Sequence, residues 1–390
     1  MLSSLIRRFS TIIITLAFSF PCLAGRQELS ALSSLANSYD YVRVLINENA
    51  RYLSLEVNGR YKIVDPDSGN ILSRGKNLKT TVTAYEKGIL LGREKFFTDK
   101  ILLSVGVNDE IIIDDRRFRG QIQFLRESNS KISVINFVDL EDYIRGILYH
   151  ETSHYWPMEA LKAQAIVSRT FVVDKMEERK LHEFDVTRDV YSQVYGGKTS
   201  ERYRTNNAVD QTRGKILIYQ GKVFPAFFHA TCAGNTERAS VLWNVDIPPL
   251  EGVKCGFCNQ SPHFNWHYDL SLGQIEDKLV ESGYKIDQIK NIIISGRNDS
   301  GRIRDLKLIG ANSELIISAK DFRKAISPNI IRSTNFSVEI VRQDAVFEGY
   351  GWGHGVGLCQ WGAYFMAKDN FTSEGILKHY YPKSEISLIQ

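Results

Sequence analysis

Residues 142–170, DYIRGILYHETSHYWPMEALKAQAIVSRT, carry the clearest helical signal of the chain, directly after a long run of strand-like sequence. Pro157 suits the first turn of a helix, where its missing N–H would have no partner, and Glu159 complements the positive helix N-terminus. Small and apolar residues then recur at helical spacing, at Leu161, Ala165, Ser168 and Val172. The pattern predicts a helix over residues 156–179.

The sequence upstream of this helix is typical of strands. From residue 41 to about residue 137, short β-branched runs alternate with turn signals, and helical periodicity begins only near Asp139. Asn58-Gly59 predicts a two-residue hairpin, because a type I′ turn needs positive φ at both central positions. Residues 65–69, DPDSG, predict another turn.

Downstream, strands and helices follow one another irregularly. The segment KILIYQGKVFPAFF predicts a hairpin about Gln220-Gly221, and a final helix is expected after residues 371–373, ending before Pro382. Two more strands, KNIIIS at 290–295 and RIRDLKLIG at 302–310, are predicted with the polar turn 298–301 between them. Because there is no regular βαβ alternation, the predicted fold class is α+β.

The composition is that of an ordinary globular protein. Of 390 residues, 43% are hydrophobic and 24% charged, which excludes collagen-like, disordered and coiled-coil classes. The formal charge of +4, from 49 basic and 45 acidic residues, is a small excess and predicts no nucleic-acid partner.

The first 24 residues have the organisation of a signal peptide. Arg7 and Arg8 form a basic start, residues 9–20 are mostly apolar, and the segment ends in small residues at Ala24. An uncleaved membrane anchor is the alternative, but the apolar stretch is shorter than the about 20 residues that span a bilayer. We therefore expect cleavage after Ala24 and export to the periplasm or cell envelope. Cleavage would leave 47 basic residues, a charge of +2 and four of the five cysteines.

Glu151 is the first candidate for chemistry. It stands just before the predicted helix, near His150, Tyr155 and Trp156. Aromatic rings desolvate a neighbouring carboxyl group and raise its pKa, which lets it donate a proton at neutral pH. The alternative is a helix-entry acid beside a core tryptophan. Glu159 is the competing carboxylate, but its position is typical of a surface residue that matches the helix dipole.

A second candidate is a set of cysteines and a histidine. The motifs H-x-x-C and C-x-x-C supply four soft ligands, the number and type that a closed tetrahedral zinc site requires. We predict a structural zinc site formed by His229, Cys232, Cys255 and Cys258. A disulfide framework and a redox pair are the alternatives. Cys359 is left over, as a buried thiol or an alternative disulfide partner.

The third candidate is the glycine-rich segment 349–362, GYGWGHGVGLCQWG. Alternating glycines let a backbone run close to a ligand or to another strand, and the Trp, Tyr, His and Gln side chains between them suit sugars. The spacing fits neither G-x-G-x-x-G at a helix start nor a P-loop, which disfavours dinucleotide and NTP binding. A tightly packed internal strand pair is the alternative.

Together, these segments resemble the stage II sporulation protein D family, also called the SpoIID or LytB amidase-enhancer type. The similarity lies in five motifs that occur in the family's order: DYIRGILYHE, WPMEALKAQAIVSRTF, DVYSQVYGG, FFHATCAGNTERASVLW and GYGWGHGVGLCQWGA. It extends from about residue 41 to 382 and is clear from 131 onward. We therefore divide the chain into a signal peptide at 1–24, a β-rich portion at 25–130 and a SpoIID-type catalytic domain at 131–382.

The resemblance implies a peptidoglycan lytic transglycosylase acting on glycan strands stripped of stem peptides. Glu151 occupies the position of the family's essential glutamate, which implies that it is the catalytic acid. Candidates for sugar contacts in a glycan-binding cleft are Gln193, Tyr195, His354 and Gln360. The chain departs from the family's pattern at Thr152-Ser153, where Met-Pro is usual, and at Cys359, where Ser is usual.

A single carboxyl group fits this chemistry. Hydrolytic glycosidases generally need two, but in a lytic transglycosylase the nucleophile is the 6-hydroxyl of the same muramic sugar, which has a high effective concentration. The product would be a 1,6-anhydro end. The main alternative is a non-catalytic glycan-binding protein that stimulates a cell-wall amidase. A zinc hydrolase is disfavoured because no H-E-x-x-H motif occurs. The expected partners are glycan strands and a wall amidase or a division or sporulation complex.

Overall fold

The structure is a computed structural model that describes residues 41–106, 109–128, 130–189 and 192–389. The predicted signal peptide therefore lies outside the described residues. Within the described ranges, no helix has both the length and the apolar character needed to cross a membrane. Helices and strands are mixed throughout, and the first hundred described residues are almost entirely strand, which confirms the α+β fold class.

An eleven-stranded sheet forms the β-rich portion and continues into the helical part. Its strands are β1 Tyr41–Ala50, β2 Tyr52–Val64, β3 Ile71–Tyr85, β4 Gly88–Leu91, β5 Glu94–Phe96, β6 Lys100–Val105, β7 Glu110–Ile113, β8 Arg116–Phe118, β9 Gln121–Ser128, β10 Lys131–Asp139 and β11 Val186–Thr187. The main path runs β11-β1-β10-β9-β6-β2-β3-β4-β5, with β7 beside β2 and β8 beside β7. The division at 130/131 thus falls between the two antiparallel strands β9 and β10.

The predicted hairpin at Asn58-Gly59 is wrong. Strand β2 runs straight through these residues, because both of its halves pair with β3 and the register shifts between Val57 and Arg60. Gly59 has φ +125° and donates its N–H to Asn77 Oδ1 at 3.0 Å. The turn preference of Asn-Gly is therefore met by a β-bulge, which also favours unusual backbone angles. The turn predicted at 65–69 is confirmed between β2 and β3.

Two helices follow the sheet and carry the motif-rich sequence. Helix α1, Leu140–Glu151, begins at the cap Asp139, whose side chain accepts the backbone N–H groups of Glu141 and Asp142. Helix α2, Met158–Glu178, confirms the predicted helix. Helix α3, Tyr203–Gln211, packs against both. Their apolar faces join the sheet in one core.

A buried ion pair joins α1 to α2. Arg169 Nη2 lies 2.7 Å from Glu141 Oε2, and the two side chains are 0% and 6% exposed. Arg169 also donates to the backbone oxygen of Lys215 at 2.9 Å, and Glu141 accepts the N–H of Gly214 at 2.9 Å. These bonds satisfy both charges, so the pair fixes the relative placement of the helices that flank Glu151.

A second core surrounds the cysteine motifs and the glycine-rich segment. It contains β12 Lys215–Tyr219, β13 Lys222–Val223, β14 Phe228–His229, α4 Ala239–Trp243, β21 Leu358–Cys359, α7 Gln360–Lys368, α8 Ser373–Tyr380 and β22 Glu385–Leu388. The hairpin at Gln220-Gly221 is confirmed by the pairing of β12 with β13. The final helix is confirmed as α8, capped by Thr372.

A third core lies between the cysteine motifs and the glycine-rich segment in sequence. Its elements are β15 Asn265–Ser271, α5 Leu272–Glu281, β16 Asn291–Arg297, β17 Ile303–Ile309, β18 Glu314–Ser318, α6 Ala319–Ile326, β19 Phe336–Val341 and β20 Asp344–Tyr350. The strands predicted on either side of residues 298–301 are confirmed as β16 and β17. Buried Glu237 of the second core accepts from Ser300 Oγ at 2.7 Å, which links the two cores at this turn.

Candidate active site

Glu151 is the last residue of α1, and its side chain is half-buried. The helix ends here because Thr152 has an extended backbone conformation and returns its N–H to Leu148. The Val194 N–H donates to Glu151 Oε1 at 3.3 Å, and the Gln360 side chain also hydrogen-bonds to the carboxyl group. Burial raises the pKa of Glu151 to about 7, and these two hydrogen bonds oppose the shift. Near neutral pH, the group therefore exchanges a proton readily.

A chain of buried polar side chains lies behind this carboxyl group. Gln360 Nε2 donates to Gln164 Oε1 at 3.4 Å, and Gln164 Nε2 donates to Ser168 Oγ at 3.1 Å. Gln193 Nε2 reaches the Ser168 carbonyl at 3.4 Å, and Tyr143 Oη donates to Gln193 Oε1 at 3.0 Å. The chain holds Gln360 in place beside Glu151. Gln164 is not among the site residues predicted from the sequence. The feature that could have revealed it is a polar glutamine among the alanines of a buried helix.

The placement of Gln193 and Tyr195 corrects the expectation that they contact sugar. They are only 1% and 2% exposed. Tyr195 Oη donates to Asn136 Oδ1 at 2.7 Å, and its ring stacks on Tyr143 at 5.3 Å between centroids. Because their polar groups are bonded inside the protein, these residues support the loop that presents the Val194 N–H.

A row of half-buried aromatic rings adjoins the site. Trp156, Trp361 and Tyr364 form a triangle with centroid separations of 5.0, 5.2 and 5.1 Å. His263 extends the row from Trp361 at 6.2 Å to Trp352 at 4.7 Å. We call these five residues the aromatic row. Partly exposed aromatic rings of this kind present flat faces on which sugar rings can stack. Trp361 directly follows Gln360, the residue whose side chain bonds to Glu151.

His354 lies within the glycine-rich segment and is half-buried. Its Nδ1 accepts the Val356 N–H at 3.1 Å, and its ring packs against Phe227, His229 and Trp243 at 6.1, 5.6 and 4.9 Å. Burial lowers the pKa of His354 to about 3, so the imidazole is neutral. Because the ring is partly exposed, the sugar contact expected at His354 stays a prediction. Of the four candidate contacts, only Gln360 meets Glu151 directly.

The alternating glycines allow close packing on residues 227–232. A Cβ atom on Gly357 would lie 2.0 Å from the Phe227 carbonyl oxygen, and one on Gly355 would lie 2.4 Å from Arg302 Cζ. Both glycines have positive φ. Short backbone bridges, such as Thr231 with Trp352, connect the two segments. The tightly packed strand pair is therefore the arrangement found, and the segment contributes Gln360, Trp361 and Trp352 to the site and the aromatic row beside it.

Four buried cysteines form a group that could hold a metal ion: Cys232, Cys255, Cys258 and Cys359. All are free thiols, and their Sγ atoms lie within 4.8 Å of one another. Tetrahedral zinc, with Zn–S bonds of about 2.3 Å, requires sulfur separations of roughly 3.8 Å. The Cys232 and Gly362 N–H groups each donate to Cys359 Sγ at 3.3 Å. Such donors stabilise a thiolate, so the group fits zinc.

His229 is not a member of this group, which corrects the predicted ligand set. Its Nδ1 lies 3.0 Å from the Val356 carbonyl oxygen, and its Nε2 is buried without a hydrogen-bond partner among the described residues. The fourth thiol of the group is Cys359, because the parallel pairing of β14 with β21 brings Cys359 beside residue 229 and close to Cys232. Spacing along the chain could not reveal this pairing.

Two family models match separate parts of the chain. The family model described as "Stage II sporulation protein" matches residues 128–219, and a "Domain of unknown function (DUF8618)" matches residues 253–357. An uncharacterized protein of Brachyspira hyodysenteriae is 32% identical over 355 residues, 90% of this chain and 94% of that protein. The amidase enhancer of Bacillus subtilis is 26% identical over 292 residues, 63% of this chain and 40% of the enhancer.

Stage II sporulation protein D of Bacillus subtilis is 30% identical over 266 residues, which cover 64% of this chain and 75% of that protein. The protein of the same name from Bacillus amyloliquefaciens is 30% identical over 296 residues, with 70% and 83% covered. The family model includes both Glu151 and the loop at Val194 that bonds to it. The chain belongs to the stage II sporulation protein D family.

Proposed function

We propose that this protein is a peptidoglycan lytic transglycosylase. It cleaves the bond between N-acetylmuramic acid and N-acetylglucosamine in peptide-stripped glycan strands and leaves 1,6-anhydro ends. The proposal rests on the Glu151 carboxyl group, which is half-buried and has a pKa of about 7. Within the described part of the chain, no second carboxylate contributes to this shift. A lone carboxyl group with a raised pKa suits intramolecular attack better than hydrolysis.

In the proposed reaction, Glu151 works first as an acid and then as a base. The protonated carboxyl group gives its proton to the glycosidic oxygen as the bond to the muramic C1 breaks. The resulting carboxylate is stabilised by the Val194 N–H and the Gln360 amide. It then takes the proton from the muramic 6-hydroxyl as that oxygen bonds to C1, which restores the starting carboxyl group.

The aromatic row supports binding of a polysaccharide. Sugar rings have apolar faces that stack on Trp and Tyr, and the row begins at Trp361, next to Gln360. Its continuation through His263 to Trp352 offers contact beyond the sugars at the cleaved bond.

The biological role that we propose is remodelling of the cell wall during sporulation or division, after export to the periplasm or cell envelope. The names of the Bacillus relatives, stage II sporulation protein D and amidase enhancer, favour this setting. The second name also favours a wall amidase as partner and, as an alternative function, non-catalytic stimulation of that amidase.

We also infer that the four-cysteine group holds a structural zinc ion. Four thiolate ligands would leave no open coordination position, so zinc would supply architecture and no chemistry. The group joins Cys232, the C-x-x-C loop at Cys255 and Cys258, and Cys359. Since Cys359 caps α7, whose first residue is Gln360, the ion would stabilise one side of the site.

The deciding experiment compares Glu151→Gln with Glu159→Gln on purified peptide-free strands. Glu159 is the neighbouring carboxylate at the start of α2, bonded to Lys162 and to the Ser373 N–H. We expect anhydro-muramic ends from wild type and Glu159→Gln, and a loss of at least about 100-fold for Glu151→Gln. Equal yields from wild type and Glu151→Gln would refute catalysis by Glu151. Undiminished stimulation of an amidase by Glu151→Gln would then favour the binding function.

A further inference from the structure

A cavity with two arginines in its lining lies between β1, the β7–β8 hairpin and Arg188, which follows β11. It has a volume of about 150 Å³. Arg116 and Arg188 line it, Ile113 and Phe118 give it an apolar floor, and Asn47 and Asp114 lie at its other side. An apolar floor with two cations suits a small ligand that has both a hydrocarbon part and a negative charge.

Neither arginine has a hydrogen bond or an ion pair from its guanidinium group to any residue that the structure describes. The acidic group in the cavity, Asp114, attracts Arg188 without a direct ion pair, and its oxygens accept the Ser54 N–H at 2.9 Å and an Asn47 Nδ2–H at 3.4 Å. Nearby Arg119 is different, because it is paired with Glu201 at 2.6 Å. The cavity therefore holds two cations that lack the bidentate carboxylate partner that guanidinium groups favour.

The cavity is connected to Glu151 through one short turn. The Arg117 N–H donates to Thr199 Oγ1 at 2.9 Å, which ties β8 to that turn. Ser200, at the end of the turn, lies 2.5 Å from His150 Nε2. Burial first, and then the charges of Arg116 and Arg202, lower the pKa of His150, so these arginines lie near the residue that precedes Glu151. Contacts through this turn therefore link the strand that carries Arg116 to the end of α1.

We propose that Arg116 and Arg188 bind the free lactyl carboxylate of an N-acetylmuramic acid residue in the glycan strand. This inference rests on the proposed function, since it assumes that peptidoglycan occupies the site. The lactyl group carries one methyl group and one carboxylate, which match the apolar floor and the two guanidinium groups. A stem peptide converts this carboxylate into an amide and removes its charge. The cavity would therefore select peptide-stripped strands by charge as well as by size.

The test uses two soluble probes prepared from the same peptide-free glycan oligomers. One keeps its lactyl carboxylates, and in the other they are converted to neutral methylamides, which adds little bulk. Binding is measured on Glu151→Gln protein, so that cleavage doesn't interfere, and cleavage is measured on otherwise wild-type protein. The variants are Arg116→Gln, Arg188→Gln and the double substitution, with Arg93→Gln as a control because it is an exposed arginine in the same sheet portion.

We expect Glu151→Gln protein to bind the carboxylate probe about tenfold more tightly than the methylamide, and the double substitution to reduce this preference to near unity. Arg93→Gln should retain it. Equal binding of the two probes by Glu151→Gln protein that keeps both arginines would overturn the inference. This comparison does not depend on whether the arginine variants fold. Cleavage of both probes at equal rates would overturn the charge selection while leaving the proposed function intact. If the carboxylate probe is bound preferentially but none of the proteins cleaves either probe, the proposed function is refuted and the carboxylate-binding site is supported.

Discussion

The Gln360 side chain hydrogen-bonds to the Glu151 carboxyl group, although the helices that carry the two residues pack in different hydrophobic cores. Glu151 ends α1, which packs on the large sheet, and Gln360 begins α7, which packs in the cysteine-containing core. The candidate active site thus forms where the two cores meet. Any change that separates them would change the surroundings, and therefore the pKa, of Glu151.

The raised pKa of Glu151 should make wild-type stability depend on pH. Its folded pKa of about 7 lies above the ordinary value of 4.5, so the folded protein retains a proton that the unfolded chain releases between these values. The free energy of unfolding therefore falls as pH rises from 4.5 to 7. We expect Glu151→Gln, which has no such penalty, to be more stable than wild type at pH 8 by up to about 3 kcal/mol.

Urea unfolding of both proteins at pH 4 and pH 8 measures this difference, which should nearly vanish at pH 4. A difference that is the same at both pH values would show that Glu151 has an ordinary pKa in the folded protein.

Gln360→Leu should shift the pH dependence of cleavage. The Gln360 amide favours the ionised form of Glu151, so its loss raises the pKa of that carboxyl group. Since the protonated form starts the proposed reaction, the alkaline limb of kcat/KM should move to higher pH, while the maximal rate falls because the carboxylate intermediate loses a donor. Full pH profiles of the two proteins check this. A lower rate with an unmoved alkaline limb would mean that Gln360 serves packing only.

Breaking the ion pair between Arg169 and Glu141 should be severely destabilising. Both side chains are buried, so Glu141→Gln leaves the Arg169 charge without its partner, at a cost of about 3–5 kcal/mol. The exposed pair Lys79–Glu56 is the matched control, and Glu56→Gln should cost less than about 1 kcal/mol. Denaturant unfolding measures both. A loss at Glu141→Gln as small as that of the control would mean that water reaches the buried pair.

Metal content should depend on Cys359 and not on His229. Cys359 lies in the four-cysteine group and His229 bonds to a backbone carbonyl. We expect about one zinc per chain in wild type and in His229→Gln, and little in Cys359→Ala. Elemental analysis after purification under reducing conditions gives the values, and removal of zinc by a chelator should lower the Tm of wild type. Zinc retained by Cys359→Ala and lost from His229→Gln would restore the ligand set expected from spacing.

Local patterns in the sequence predicted the elements whose formation depends on nearby residues. Helix α2 formed where Pro157 and the alanine-rich stripe indicated, and the β12–β13 hairpin formed at Gln220-Gly221. At Asn58-Gly59 the same kind of signal failed, because pairing of both flanking segments with β3 outweighed the local preference for a turn. A local preference for a turn is overridden when the same residues can pair with a distant strand.

The candidate site was predictable only in part for a similar reason. The family motif singled out Glu151, and its aromatic surroundings indicated a raised pKa. Which residues touch it depends on contacts between distant segments. Gln193 directly precedes Val194 and yet is buried, whereas Cys359 joins cysteines more than a hundred residues away. Residue spacing along the chain does not predict these contacts.

The glycine-rich segment gives a direct test of close packing. Gly357 and Gly221 have almost the same φ, +71° and +75°, so an alanine at either position meets a similar backbone penalty of about 1–2 kcal/mol. A Cβ on Gly357 would also lie 2.0 Å from the Phe227 carbonyl oxygen, whereas nothing lies within 4 Å of one on Gly221. Gly357→Ala should therefore lose clearly more stability than Gly221→Ala, by at least about 2 kcal/mol, because two backbone segments must separate.

Gly357→Ala should also reduce cleavage, since the displaced segment leads into Gln360. Denaturant unfolding and the cleavage assay measure these effects, and equal losses for the two variants would show that the segment moves away from residues 227–232 without cost.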